Sequence, residues 1–354
     1  MAMVHTGGPD GVRLHVQRLG PEQGGPQQGG PGRSDADRGD AGRSDADRGG
    51  ADRGGAAPTA VLLHGLLTDS LAAYYFTVGP GLAAAGVDVV MYDQRGHGRS
   101  ERPAGGYRLE MFVGDLERLL DRLGIHGPVH LVGNCFGGTV AFSYAVRHPE
   151  RVAGLSLIES EPATGAWAAK LDRLLGYAAA QLSEHESDAL AWIDAHHGGH
   201  TARLARSAAR LVRTTSIARD IPSSAVLDEG RIRSVRGPVL ALYGADSDMA
   251  AQAPWLESLL PGTRTVTVPG HEHSVLVEVP ALVLEHVLEH VLDHDPDGDR
   301  VGDRDGARVG ARVGARVGAR VGARVGVRAG AREPGGRAGG RARVAAFAGV
   351  EAAP

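Results

Sequence analysis

The residues whose chemistry is easiest to interpret surround the single cysteine of this 354-residue chain. Cys135 stands at the centre of Gly133-Asn134-Cys135-Phe136-Gly137, after a strand-like run at 128–132 and before a helical pattern at 138–147. Glycines two residues before and two after it leave room for a sharp strand-to-helix turn. The free N–H groups and positive dipole end of the following helix favour a thiolate there. The pattern therefore predicts a nucleophile, with a small buried apolar thiol as the alternative.

A cysteine nucleophile is activated by a histidine that takes up the proton of the thiol. The chain has 16 histidines, and two of them follow its last strand-like run, in Pro269-Gly270-His271-Glu272-His273. This position makes His273 the candidate base, with His271 as the near rival. Three other histidines recur every fourth residue among acidic side chains, so we interpret them as a solvated helix face and expect neither a metal nor a cofactor; they are His286, His290 and His294.

Short apolar runs alternate with helical patterns through the middle of the chain, which predicts a mostly parallel sheet with helices on both faces. The strand-like runs are 60–63, 87–92, 129–132, 155–158, 239–243 and 264–268, and helical spacing covers 109–123 and 138–147. Residues 162–235 have helical patterns and no strand signal, which predicts an inserted helical lid that forms the substrate pocket. The fold class is therefore α/β, with core segments at 1–19, 58–161 and 236–294.

Two low-complexity segments stand apart from this core. Residues 20–57 repeat Gly, Pro, Asp and Arg, and residues 295–354 repeat Ala-Arg-Val-Gly. Neither composition buries enough apolar surface to offset its ordering entropy, so both are predicted to be disordered. We interpret the C-terminal repeat as a solvated basic tail; the alternative is a clamp for an acidic partner such as a carrier protein or a nucleic acid.

Charge and composition narrow the class of protein further. The formal net charge of −4 gives no whole-chain argument for binding nucleic acid or an acidic membrane surface. A single cysteine excludes an intramolecular disulfide, and the chain has neither a signal-like start nor a run of about 18 apolar residues. We expect a cytoplasmic protein with no membrane segment and no nucleic-acid partner.

Four motifs in the expected order resemble those of the α/β hydrolases, in segments spread over the core. They are His64-Gly65, the turn from Tyr92 to Ser100, the Gly133 to Gly137 elbow, and His273 followed by Glu278-Val279-Pro280. The resemblance implies the α/β-hydrolase fold, and its terminal spacing selects His273 over His271. It also implies an oxyanion hole formed by the backbone N–H groups of Leu66 and Phe136. His64 and His97 are interpreted as turn-shaping residues.

The acid that orients the histidine is where the sequence departs from the common pattern of that family. Ser247 occupies the place after Gly244 where an aspartate is expected, with Asp246 and Asp248 beside it. A subgroup with this feature takes its acid from the end of the preceding strand, which here is Glu159. We place Glu159 slightly ahead of Asp248, with Asp246 as a further candidate.

A cysteine nucleophile changes which acyl donors are favourable. A thioester donor exchanges with a thiolate at little thermodynamic cost, whereas amides and simple esters are poorer substrates. The sequence thus predicts an acyl-transfer enzyme for a small-molecule acyl thioester, resembling thioesterases and Dieckmann-type cyclases of polyketide and peptide assembly lines. The alternatives are a hydrolase of an ester, a lactone or a C–C bond, and a non-catalytic ligand-binding member of the fold.

Overall fold

The computed structural model describes residues 2–8, 10–20 and 57–295. The two segments predicted to be disordered, 20–57 and 295–354, lie outside these ranges except for their boundary residues 20, 57 and 295. The described residues form one eight-stranded sheet with helices packed on it.

The sheet has the strand order β1-β2-β4-β3-β5-β6-β7-β8. The pairings of β1 with β2 and of β2 with β4 are antiparallel, and the other five pairings are parallel. The strands are β1 (Ala2–His5), β2 (Arg13–Leu19), β3 (Thr59–Leu63), β4 (Asp88–Tyr92), β5 (Val129–Asn134), β6 (Val152–Ile158), β7 (Val239–Gly244) and β8 (Thr263–Val268). Parallel pairing brings the carboxyl ends of β3, β5, β6, β7 and β8 to one edge of the sheet, where catalytic loops of open α/β sheets lie.

Helices cover both faces of the sheet. They are α1 (Ala72–Tyr75), α2 (Gly79–Ala84), α3 (Leu109–Arg122), α4 (Phe136–Arg147), α5 (Gly165–Thr214), α6 (Ile217–Asp220), α7 (Glu229–Ile232), α8 (Ala253–Leu259), α9 (Val275–Glu278) and α10 (Pro280–Asp293). Short 3₁₀ turns occupy Pro149–Arg151 and Asp248–Gln252.

The alternation of side chains along β3 explains why an apolar cluster lies on each face of the sheet. Val61 and Leu63 join the apolar cluster that contains α3, α4 and the start of α5, whereas Ala60 and Leu62 join the cluster that contains α1, α2 and α10. Successive side chains of a strand point to opposite faces, so a strand buried on both faces is apolar throughout. The predicted α/β-hydrolase architecture, a mostly parallel sheet flanked by helices, is confirmed.

The segment between β6 and β7 is helical, as its sequence pattern predicts. It contains α6, α7 and the 50-residue α5, which begins where Thr164 accepts a hydrogen bond from the Trp167 N–H and caps the first turn. No helix within the described ranges combines the length and the apolar character that crossing a bilayer requires.

Candidate active site

Cys135 occupies a sharp turn between β5 and α4. Its backbone has φ 52° and ψ −122°, a conformation that costs a non-glycine residue energy and that the surrounding structure must enforce. A Cβ on Gly133 would lie 2.3 Å from the Gly138 Cα, and one on Gly137 would lie 2.1 Å from the Leu63 carbonyl oxygen. Only glycine fits at these two positions, so the pattern read from the sequence has a steric cause. The turn leaves Cys135 half-buried.

The loop after β3 lies directly against this turn. A Cβ on Gly65 would lie 3.5 Å from the Cys135 Cβ. Three N–H groups of the loop are occupied: Gly65 donates to Asp69, Leu67 to the His97 Nε2, and Thr68 to the Leu66 carbonyl.

Two backbone donors beside the sulfur remain available. The N–H groups of Leu66 and Phe136 have no hydrogen-bond acceptor within the part of the chain that the structure describes. Phe136 is the first residue of α4, where N–H groups have no acceptor within the helix. Both N–H groups are therefore available to an oxygen bound next to Cys135.

His97 holds the loop after β3 through a neutral imidazole. Its Nδ1 donates to the Arg95 carbonyl at 2.9 Å, so its Nε2 is free to accept the Leu67 N–H, also at 2.9 Å. Burial, reinforced by the neighbouring His64, lowers the pKa of His97 to about 3, which keeps the ring neutral. His64 likewise bridges the Gly65 carbonyl and the Gln94 N–H, so both histidines shape turns, as predicted.

His273 lies between the cysteine and a buried carboxylate. Its Nδ1 is 3.3 Å from Oε2 of Glu159, an ion-pair contact that lies off the line of a straight hydrogen bond. The Glu159 side chain is fully buried, and that of His273 is 15% exposed. Because Nδ1 faces the carboxylate, Nε2 is the ring nitrogen left for a second partner, and it makes no hydrogen bond with the residues that the structure describes.

The charge state of His273 follows from its two neighbours. Burial acts to lower its pKa, but Cys135, and after it Glu159, outweigh burial and raise the pKa to about 10. A histidine with this pKa is protonated at neutral pH. Cys135 and Glu159 are therefore the two neighbours that set the charge of His273.

Glu159 is fixed at the end of β6 by donors from the next strand. One carboxylate oxygen accepts the Gly244 N–H, and the other accepts the Ser247 hydroxyl at 2.6 Å. Its backbone N–H donates to the Leu242 carbonyl, and its φ is 47°. Ser247, which stands where the family pattern has an aspartate, thus holds the Glu159 carboxylate at the end of the neighbouring strand. Sequence reasoning noted the unusual serine but did not identify this contact.

The rival candidates have other partners. The Asp248 carboxylate is 52% exposed and lies 3.5 Å from the Lys170 ammonium group. His271 pairs through Nδ1 with Glu278 at 2.7 Å. Asp246 is exposed, and its N–H donates to the His271 carbonyl. Of the candidate acids, Glu159 is the one placed against His273.

An aromatic wall closes the site on the side of α5. The Phe136 ring packs edge-on against Phe112 with centroids 4.9 Å apart, and lies nearly parallel to Trp167 at 6.5 Å. Trp167 belongs to the first turn of α5, and its side chain is buried. Sequence reasoning placed a substrate pocket in this segment but did not single out Trp167, which apolar spacing alone does not distinguish from other buried residues.

Metal ligation has no support in this region. The described residues contain no group of three or more His, Cys, Asp or Glu side chains placed to hold a metal ion. His286 and His290 lie on α10, and His294 follows its last residue. His290 is buried, so the expectation that the row is uniformly solvated is wrong at that position.

Comparison with known proteins places this site in a wider context. Residues 58–280 match the model of the alpha/beta hydrolase fold family. A putative carbamate hydrolase of Variovorax paradoxus is 30% identical over 248 residues, which cover 61% of this chain and 86% of that protein. Epoxide hydrolase B of Mycobacterium tuberculosis is 41% identical over 100 residues. This aligned segment covers 28% of this chain and only 27% of that relative.

A solved structure supports the same fold. The esterase RhEst1 from Rhodococcus sp. superposes with a TM-score of 0.60 at 21% identity, over 83% of this chain and 100% of the esterase. The family match spans more than half of this chain, and the fold and the order of its motifs agree with it. The chain belongs to the α/β-hydrolase family.

Proposed function

We propose that this protein is an acyl-transfer enzyme whose triad is Cys135, His273 and Glu159. The observation that carries the proposal is the position of His273, whose Nδ1 lies 3.3 Å from the buried Glu159 carboxylate and whose pKa is raised to about 10 next to Cys135. An imidazolium between a thiolate and a carboxylate is the resting arrangement of an activated cysteine nucleophile.

The proposed reaction begins with attack by the Cys135 sulfur on the carbonyl carbon of an acyl thioester. The carbonyl oxygen takes up the negative charge and accepts hydrogen bonds from the Leu66 and Phe136 N–H groups. Collapse of this intermediate breaks the donor's C–S bond, and the departing thiolate takes the proton from Nε2 of His273. The acyl group is then bound to Cys135 as a new thioester.

The second half of the reaction transfers the acyl group to an acceptor. His273, now neutral, removes a proton from water or from a nucleophile within the acyl chain, and that nucleophile attacks the acyl-enzyme. Collapse releases the Cys135 thiolate and regenerates the imidazolium. Water gives a free acid, whereas an internal hydroxyl, amine or carbanion gives a cyclic product, as in chain release from polyketide or peptide assembly lines.

The helical segment after β6 supports the role of a lid in this proposal. Trp167 of α5 stacks on Phe136, the residue that follows the nucleophile, so movement of α5 would open the region beside the sulfur. A small-molecule acyl donor is the proposed partner, in a cytoplasmic setting. An acidic carrier protein that binds the basic tail stays a prediction, since residues 296–354 lie outside those the structure describes.

The decisive experiment is detection of the acyl-enzyme. The full-length protein is mixed with an acyl N-acetylcysteamine thioester and analysed by intact mass spectrometry within seconds. We expect a mass increase equal to one acyl group in the wild type and none in Cys135→Ala, which removes the only thiol of the chain. Absence of an adduct with every thioester tested would refute acyl transfer from thioesters.

A second candidate function is hydrolysis of an ester, a lactone or a C–C bond; the names of the relatives, an epoxide hydrolase and a putative carbamate hydrolase, support hydrolysis in general. A matched thioester and oxyester with the same acyl group separate the two. Acyl transfer through Cys135 predicts a higher kcat/KM for the thioester, and Cys135→Ser reverses that preference while the fold is retained. A non-catalytic, ligand-binding role predicts turnover of neither substrate.

A further inference from the structure

A pocket of about 370 Å³ lies between α5 and the turn that follows β4. None of its residues belongs to the proposed triad or donates to the oxyanion. The lining consists of Gly98, Arg102, Arg203, Arg206, Ser207 and Arg210, so four of six residues are arginines and none is acidic. Four positive charges in one pocket repel one another and destabilise the folded protein unless an anion neutralises them.

Helical geometry directs three of these arginines to one place. Arg203, Arg206 and Arg210 follow each other at spacings of three and four residues, which places them on one face of α5. The Arg203 guanidinium contacts the ring of His200 at 3.4 Å, and Arg206 and Arg210 have no carboxylate within ion-pair distance among the described residues. The face is therefore a cluster of positive charges without neutralising side chains.

Arg102 brings the fourth charge from the opposite wall. Its Nε donates to the Gly96 carbonyl at 3.0 Å, which fixes the guanidinium against the turn. Partial burial, together with the positive charge of Arg210, lowers the pKa of Arg102, whereas Tyr107 opposes this. The two walls are thus close enough for their charges to interact, and an anion between them would relieve the repulsion.

Charge and size together indicate the kind of ligand. Guanidinium groups bind phosphate oxygens in pairs of parallel hydrogen bonds, and four of them match two linked phosphates better than a single carboxylate. A volume near the lower end of the usual range for small-molecule pockets suits a diphosphate rather than a large organic group. The arginines converge on one pocket instead of following a long stripe, which favours a small molecule over a nucleic acid.

We propose that this pocket binds the diphosphate group of a small molecule. The turn from Gly96 to Gly98 contacts α5 on one side, and its His97 holds Leu67 of the oxyanion loop on the other. A bound diphosphate would therefore contact the same turn that orders the catalytic loop. The diphosphate comes from one of two sources, the leaving group of a nucleotide-linked acyl thioester or a free nucleotide.

The proposal is tested by protection of individual arginines in the full-length protein. The protein is treated with phenylglyoxal with and without inorganic pyrophosphate, and modification is measured peptide by peptide with mass spectrometry, which separates the pocket from the basic tail. We expect pyrophosphate to slow modification of Arg206 and Arg210 at least five-fold. Arg173, an exposed arginine on the same helix, is the matched control and should react at an unchanged rate.

Two results would overturn the proposal: equal modification of Arg206 and Arg210 with and without pyrophosphate, or equal protection of Arg173. The reagent does not depend on Cys135, so these outcomes are independent of the proposed acyl transfer. The source is identified with the double variant Arg206→Ala/Arg210→Ala. If the donor supplies the diphosphate, the variant should show a KM at least ten-fold higher for an acyl-coenzyme A and an unchanged KM for the phosphate-free thioester. If a free nucleotide supplies it, neither KM should change, and the nucleotide should protect Arg203 from phenylglyoxal in the wild type but not in the variant.

Discussion

The substitution Glu159→Gln is the sharpest test of the proposed triad. It preserves side-chain size but removes the charge, and the environment fixes the orientation of the new amide. The Gly244 N–H is only a donor, so the amide oxygen must face it, and the NH₂ group then faces Ser247 and His273. The serine hydroxyl can rotate to accept, but Nδ1 of His273 can accept only when its proton is on Nε2. In that tautomer the ring cannot take a proton from Cys135.

The size of the effect follows from the structure. The pKa of His273 rises from 6.5 to about 10, which corresponds to roughly 5 kcal/mol shared between Cys135 and Glu159 after the opposing cost of burial. Loss of the Glu159 carboxylate removes its share of this free energy. It also stabilises the tautomer that carries its proton on Nε2 and cannot take a proton from Cys135. In other triads a carboxylate-to-amide change lowers the rate by about 10⁴-fold. We expect a decrease of about 10³-fold or more in the rate of acylation.

The assay uses the fact that Cys135 is the only thiol of the chain. Acylation is measured by rapid-quench mass spectrometry, and thiol reactivity by alkylation with iodoacetamide from pH 5 to 10. At pH 7 we expect Glu159→Gln to be alkylated at least ten-fold more slowly than the wild type. The difference should narrow at alkaline pH, where hydroxide removes the thiol proton in place of His273.

Asp248→Asn provides the matched control. It removes one carboxylate charge near the site, but that carboxylate is half-exposed and lies against Lys170. We expect its acylation rate to stay within about three-fold of the wild type, because exposed ion pairs contribute little. Acylation in Glu159→Gln within three-fold of the wild type, or an equal loss in Asp248→Asn, would refute the assignment of the acid.

Three further predictions follow from the same contacts. Ser247→Ala removes a 2.6 Å hydrogen bond to the buried acid, so we expect about a ten-fold loss of kcat with little change in KM, measured by steady-state kinetics. Gly137→Ala places a Cβ 2.1 Å from the Leu63 carbonyl oxygen, so we expect a loss of about 2 kcal/mol or more in the free energy of unfolding, measured in urea. Burial lowers the pKa of His130 to about 3 and that of His290 to about 4, and the charge of neighbouring histidines adds to the effect. Both rings therefore stay neutral in the folded protein. The unfolded chain binds protons below about pH 6.5, so stability should fall between pH 6.5 and 4, by up to about 1.4 kcal/mol per pH unit for each ring.

The two predictions about stability each have a comparison variant. Gly165→Ala introduces a Cβ into open space at the start of α5 and should leave stability nearly unchanged. His130→Gln should reduce the slope of stability against pH between 6.5 and 4. His273 does not interfere, because its raised pKa makes its own contribution complete below pH 6.5 and lost only as pH rises towards 10. An unaltered slope in His130→Gln would contradict the pH argument, and unchanged kinetics in Ser247→Ala would contradict the role of its hydroxyl.

The local parts of the structure were predictable because each is encoded over a few consecutive residues. The strand-like runs for β3 to β8 match the observed strands to within three residues at each end. For β3 to β7 the reason is that strands buried on both faces are almost continuously apolar, whereas the edge strand β8 alternates polar and apolar residues and is mostly half-buried or exposed. The helix after Cys135 begins two residues earlier than its apolar pattern, because the strained turn passes directly into α4. Apolar pattern does not report that strain, although the flanking glycines do.

The sequence by itself determined the turn at Cys135, the segments that form β3 to β8 and the loop that contains His273, because short-range sterics and apolar periodicity specify them. Only the tertiary structure decided which carboxylate meets that histidine, since Glu159 and Ser247 are 88 residues apart and come together through the pairing of β6 with β7. It also decided that Asp248 turns to Lys170 and that four arginines face one pocket. Such contacts depend on the register between strands and on the packing of α5, which no local pattern records.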